Sequence, residues 1–159
     1  MDKDTKLPIP RQIYLSIPIG PVIQLLHASL ESALEMAYGE RVILDIQKQI
    51  DLNGGLFSEY SDFFQGSDFI KAVKDNILKP NDTILMFSID GAQLYRHKES
   101  DCWIGIWIIL NLHSDHHYRK VRVIPAIVIP GPKPPKHLDS FLFPSFHHAS
   151  ALMNEGLMV

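Results

Sequence analysis

The sequence predicts an α/β chain in which a helical first half is followed by three β-strands and a further helix. Up to Leu78, apolar residues recur mainly at helical spacing, with proline and glycine at the breaks. After Pro80, three runs rich in β-branched and aromatic residues stand between polar loops, and they cover residues 83–89, 102–112 and 121–129. The predicted organisation is an extended arm and helical leader over residues 1–79, followed by a second module over residues 80–159.

The first half contains three predicted helices behind a proline-rich arm over residues 1–19. Pro21 suits a first helical turn, where its missing N–H is not needed. Helical spacing extends from there to residue 37 and again over residues 40–52, before the breaker Asn53-Gly54-Gly55. Ser67 is the predicted cap of a third helix over residues 68–78.

The three strands and the last helix form the predicted second half. The first strand shows no polar alternation, which predicts a central strand covered on both faces. The third strand ends in four prolines within residues 129–136, which cannot continue a central strand. The following residues predict a helix that begins at Asp139 and is kinked or restarted at Pro144.

Composition and charge narrow the class of protein. The chain has 159 residues, of which 46% are hydrophobic and 21% charged, as in a globular domain. Its net charge of −3 does not favour a stand-alone nucleic-acid binder, but allows a catalytic module that grips DNA elsewhere. One cysteine, no signal-peptide core and no uncharged apolar run of about 18 residues predict an intracellular protein without a membrane span, nuclear or cytoplasmic and not secreted.

Asp90 follows the first predicted strand and has two interpretations. Asp-Gly pairs favour tight turns, so Asp90-Gly91 is a turn in the simpler one. However, the next strand begins about a dozen residues later rather than after a two-residue loop. A carboxylate held at the end of a rigid strand can bind Mg²⁺, and two such ions can stabilise phosphodiester cleavage. One aspartate cannot build that site, so both interpretations stay open.

Other candidate residues have structural interpretations. Asp139 is predicted to be a helix N-cap. Residues 113–117, "HSDHH", are adjacent in a predicted solvated hairpin loop, whereas zinc ligands usually come from separated pairs. His147 and His148 are predicted to face different sides of a helix and not to chelate together. The scattered basic residues are interpreted as solvated, although they could contact DNA phosphates, and they are Arg96, Lys98, Arg119, Lys120 and Arg122.

Several segments together resemble one protein family. They are "DGAQLYR", "SDCW" and "IPGPKPPK" followed by "DSFLFP", with "FSEYSDFFQGSDFIKAVKDN" upstream. In this order they resemble the front half of fungal Plavaka-type transposases, which are related to the CACTA and Kyakuja-Dileera-Zisupton DNA transposons. The resemblance covers residues 17–159 approximately. It implies an RNase H-like fold with a triad of acidic residues that cuts DNA with Mg²⁺ or Mn²⁺.

The resemblance also implies a role for Asp90. This residue matches the first acid of the triad, which implies that Asp90 is catalytic and binds the metal. The two further acids, expected on or after a fourth strand, have no match in the chain. The implied function is a fragment of a cut-and-paste transposase that acts on transposon ends in the full-length parent and is inactive alone. The alternative is a domesticated, non-catalytic interaction module.

The implied domain is truncated before its fourth strand, so the fold expected is a helical leader and the β-β-β-α first half of an RNase H-like domain. In that fold the first strand pairs with both the second and the fourth. Without the fourth strand, residues 83–89 would form an exposed apolar edge. Such edges pair with other chains, so self-association through this strand is expected.

Overall fold

The computed structural model describes residues 13–60, 62–92, 102–131 and 133–159. The elements in chain order are β1 (Leu15–Ser16), α1 (Gly20–His27), α2 (Leu30–Asn53), a 3₁₀ turn (Phe63–Gln65), α3 (Ser67–Lys74), β2 (Leu85–Ala92), β3 (Cys102–Ile109), α4 (Ser114–His117), β4 (Ile124–Pro130) and α5 (Leu138–Glu155). The α/β class is confirmed. The three predicted strands and the last helix occur in the predicted order, but the short strand β1 precedes the helices and α4 lies between β3 and β4. No helix in these ranges is long and apolar enough to cross a membrane.

Four strands form one antiparallel sheet in the order β1-β4-β3-β2. β3 and β4 pair antiparallel, with an irregularity in the register after Gly105. β1 pairs with β4 by placing Leu15 opposite Val128. A part of the predicted extended arm is therefore a short strand.

β2 is the outer strand of the sheet within the described ranges, as expected for residues 83–89 without a fourth strand. Its burial pattern, however, corrects the prediction of a strand covered on both faces. Phe87 and Ile89 are half-buried on one face, whereas Ser88 and Asp90 are exposed on the other. The strand also continues to Ala92, so Asp90 lies within it and not after its end. The sequence does not reveal this alternation of half-buried and exposed side chains, because Ser88 is the only polar residue of the strand before Asp90.

One of two compact units comprises the described parts of residues 1–21, 87–107 and 124–158. In it α5 packs on β4. The N-terminal arm joins this packing, because the ring of Tyr14 meets that of Phe141 edge to face, with centroids 5.0 Å apart.

The first unit contains a cluster of three aromatic side chains. Phe87, Trp107 and Phe146 contact one another with ring centroids 4.8 to 5.4 Å apart. Gly105 lies beneath them, and a Cβ there would stand 2.8 Å from the Phe87 ring and 2.7 Å from the Ile127 side chain. The absence of a side chain at Gly105 therefore permits this packing.

The second unit comprises residues 22–86 and 108–123, in their described parts, and Val159. Its core lies where α2 packs against α3 and the 3₁₀ turn. The buried residues of this core are Ile43, Ile46, Phe64, Phe69 and Val73. The predicted division into modules over residues 1–79 and 80–159 stays a prediction, because units defined by compactness do not test a division based on function and family.

The boundary between the first two helices differs from the prediction. α1 ends at His27, and α2 begins shortly after it because the Ser29 hydroxyl caps α2 by accepting a hydrogen bond from Ser32 N at 3.2 Å. α2 then continues unbroken for 24 residues. Gly39, in the predicted gap, is a buried residue within α2. The breaker is confirmed, since Gly54 ends α2 with φ 76°, a conformation that favours glycine.

The caps of the later helices also differ. α3 includes Ser67 and is preceded by Gly66 without a side-chain cap, so the predicted Ser67 cap is wrong. α5 begins at Leu138, which places Asp139 in the first turn and not at the N-cap. A carboxylate there is stabilised by the positive end of the helix dipole. α5 runs through Pro144 to its end at Glu155 as a single helix.

Candidate functional site

Asp90 lies on the exposed face of β2. Its Oδ1 accepts a hydrogen bond from the backbone N of Gly91 at 2.7 Å. Gly91 is also close to the Trp103 ring, which would lie 3.5 Å from a Cβ at this position. The carboxylate is thus held beside the strand backbone and remains accessible to solvent.

The metal-binding potential of Asp90 depends on the side chains around it. Throughout the described ranges, no three histidine, cysteine, aspartate or glutamate side chains come together as a metal site. Mg²⁺ often takes one or two protein carboxylates and completes its shell with water and phosphate. The exposed Asp90 oxygens fit such a shared site, and the catalytic and metal-binding role of Asp90 stays a prediction.

The histidine pair of α5 is divided between two environments. His148 Nε2 accepts a hydrogen bond from the backbone N of Gly20 at 3.2 Å. His147 is exposed and lies against Phe143, with ring centroids 5.3 Å apart. The two side chains therefore have different environments, in line with the prediction that they face different sides of the helix. Asp139 is exposed in the first turn of the same helix.

The histidine-rich segment at residues 113–117 is not the solvated loop that was predicted. It contains α4, and His117 is only 5% exposed. His117 Nε2 lies 2.6 Å from the carbonyl oxygen of Leu112 and 3.2 Å from that of Leu110. Both neighbours are acceptors, so this nitrogen carries the proton and donates. His117 anchors the end of α4 to the carbonyl oxygens just before it in the chain, a contact that no pattern in the sequence indicates.

Glu35 lies close to two side chains from the same segment of the second unit, Arg122 and His116. Arg122 donates a hydrogen bond to Glu35 Oε2, and His116 Nδ1 lies 3.7 Å from Glu35 Oε1. The side chains of Arg122 and Glu35 are 21% and 28% exposed. Arg122 was interpreted as solvated, and the structure places it in an internal ion pair.

Asn111 joins three backbone positions and was missed in the sequence. Its Oδ1 accepts from Ile84 N at 2.6 Å, and its Nδ2 donates to Asp82 O at 2.9 Å. Its backbone oxygen accepts from Gly39 N at 2.9 Å. Asn111 is 4% exposed and its polar groups are satisfied, so it stabilises the fold rather than binding a ligand.

Comparison of the chain with protein-family profiles, with curated proteins and with solved structures gave no match.

A cavity of about 370 Å³ lies beside α2 and the 3₁₀ turn. Its lining includes Tyr38, Arg41, Asp45, Phe57 and Asp62. Burial, and then the charge of Asp62 and its hydrogen bond, raise the pKa of Tyr38 above the usual 10.0, so its hydroxyl stays protonated at neutral pH. Asp62 also caps the 3₁₀ turn, and its Oδ1 accepts from the following backbone N at 2.6 Å. These polar groups serve the local fold.

Proposed function

We propose that this chain is the front part of the catalytic domain of a cut-and-paste DNA transposase, with an RNase H-like fold. The observation that carries the proposal is the strand order. β2, β3 and β4 are consecutive in the chain and adjacent in an antiparallel sheet, and α5 follows them. This is the order expected for the first part of an RNase H-like domain. The resemblance of "DGAQLYR" and "IPGPKPPK" to Plavaka-type transposases supports the same proposal.

Asp90 is the proposed metal ligand. It lies on the first of the three consecutive strands, and its carboxylate is exposed. Mg²⁺ and Mn²⁺ take such hard oxygen ligands. The ions would stabilise the attacking and leaving oxygens during hydrolysis at the transposon ends and during strand transfer. Further acids and the DNA would complete this site in the full-length parent.

Titration with Mn²⁺, followed by ¹H–¹⁵N NMR, tests the role of Asp90. The paramagnetic ion is expected to broaden the Gly91 amide signal first, because that amide donates to Asp90 Oδ1. The substitution Asp90→Asn removes the anionic ligand and should abolish this selective broadening. Asp139→Asn, which neutralises an exposed acid of α5, is the matched control and should leave it unchanged. Equal broadening in the Asp90→Asn protein would contradict the proposal.

A non-catalytic interaction module is the second candidate. The observation in its favour is that Asp90 shares no cluster of metal-ligating side chains within the described ranges. In such a module Asp90→Asn should change neither the Mn²⁺ response nor any binding property. The same titration therefore separates the two candidates.

We also expect the 159-residue protein to self-associate through β2. The outer edge of a sheet offers unpaired backbone groups to another strand, and a charged side chain there discourages pairing. Ser88→Lys introduces such a charge at an exposed position of β2 and should weaken dimerisation by about tenfold in sedimentation velocity. Ser150→Lys, on the exposed surface of α5, is the control. A monodisperse monomer with cooperative unfolding would contradict this expectation.

A further inference from the structure

The turn that follows α4, residues 118–121, carries an aromatic and two basic side chains on the surface. Tyr118 is 70% exposed and Val121 is 84% exposed. Arg119 and Lys120, between them, are exposed as well. An exposed aromatic ring next to two cations is the combination that single-stranded nucleic acids bind, by base stacking and phosphate contact.

Local hydrogen bonds fix the backbone of this turn. The backbone N of Arg119 donates to His116 O at 3.2 Å, and Arg122 N donates to Arg119 O at 2.7 Å. His117, the residue just before the turn, is buried and bonded to two carbonyl oxygens, which fixes the start of the turn. Because the backbone is fixed before binding, the turn loses little conformational freedom when a ligand docks.

The charges of the turn differ in their availability. Arg122 forms a salt bridge with Glu35, so its charge is already paired. Arg119 and Lys120 form no salt bridge within the described part of the chain. The nearby Asp115 lies 3.4 Å from His113 Nδ1. The turn is thus a local basic site on a chain whose net charge is −3.

We infer that the 118–121 turn contacts DNA, with Arg119 and Lys120 on backbone phosphates and the Tyr118 ring stacked on an unpaired base. The choice of DNA rests on the proposed function, in which the chain acts on the DNA of transposon ends. The stacking ring favours single-stranded over duplex DNA, whose bases are already stacked. The turn therefore binds the DNA substrate independently of Asp90, the proposed metal ligand.

Fluorescence anisotropy with a labelled oligonucleotide, single-stranded or annealed to its complement, tests the inference on the 159-residue protein. Tyr118→Ala is expected to weaken single-strand binding about tenfold and to change duplex binding little. The double variant Arg119→Gln/Lys120→Gln should weaken both and reduce the slope of log K against log salt by about 1–2. Lys71→Gln/Lys74→Gln removes the same charge from the exposed end of α3 and is the matched control.

Three results would overturn the inference. They are no DNA binding by the unmodified protein, an equal loss in the Lys71/Lys74 control, and full single-strand affinity in Tyr118→Ala. Circular dichroism confirms that each variant is folded. DNA binding through the turn without Mn²⁺ binding at Asp90 would refute the proposed metal site and leave this contact standing, whereas the reverse result would refute only this contact.

Discussion

Replacing Trp107 with alanine is expected to lower the free energy of unfolding by about 3–5 kcal/mol. Trp107 is 4% exposed and lies between Phe87 and Phe146, with ring centroids 4.8 and 5.4 Å away. The truncation removes the indole ring from the cluster and leaves a cavity that the sheet and α5 can fill only in part. Urea denaturation followed by circular dichroism measures the loss.

Trp107→Phe is the matched control for this prediction. The indole Nε1 is buried and has no hydrogen-bond partner in the described structure, so its removal costs no bond. We expect a loss below about 1.5 kcal/mol, since a phenyl ring keeps much of the packing. A loss as large as that of Trp107→Ala would show that packing of the ring is not the main contribution.

Gly39→Ala is expected to destabilise the second unit by about 2–3 kcal/mol. A Cβ at Gly39 would stand 2.6 Å from Asn111 Nδ2 and 2.9 Å from Asn111 Cα, and the second of these is backbone that cannot rotate away. The methyl group would also separate Gly39 N from its acceptor Asn111 O. Helix propensity alone predicts the opposite sign, because alanine is favoured over glycine inside a helix by about 1 kcal/mol.

Lys48→Ala is the control for Gly39→Ala. Lys48 is exposed on α2, so its substitution should change the free energy of unfolding by less than about 0.5 kcal/mol. Thermal and urea unfolding of the three proteins give the comparison. A Gly39→Ala protein more stable than the parent would show that α2 and Asn111 are not in close contact.

The sequence was informative where a local pattern determines the structure. Pro21 and the Asn53-Gly54-Gly55 breaker act through their own backbone preferences, so the start of α1 and the end of α2 could be predicted. The three strands were located within a few residues for the same reason, because their composition favours extended chain.

Long-range contacts explain what the sequence could not provide. Gly39 lay between the two predicted helices, because the reason for a glycine inside α2, the approach of Asn111, comes from more than seventy residues away in the chain. His117 was assigned to solvent because its burial depends on the packing around it, although its carbonyl partners, Leu110 and Leu112, are only seven and five residues away. The apolar residues before Asp90 predicted that it follows a strand, but its placement within an outer strand depends on the order of the whole sheet.

The pairing of β1 with β4 has a consequence for the order of folding. Leu15 precedes its partner Val128 by more than a hundred residues in the chain, so it is translated first. Strands β2, β3 and β4 can join as successive neighbours, whereas β1 must wait until β4 has left the ribosome and must close the longest loop of the sheet. β1 is thus fixed only after β4 is available, and until then its Leu15–Ser16 backbone is open to chaperones or to another chain.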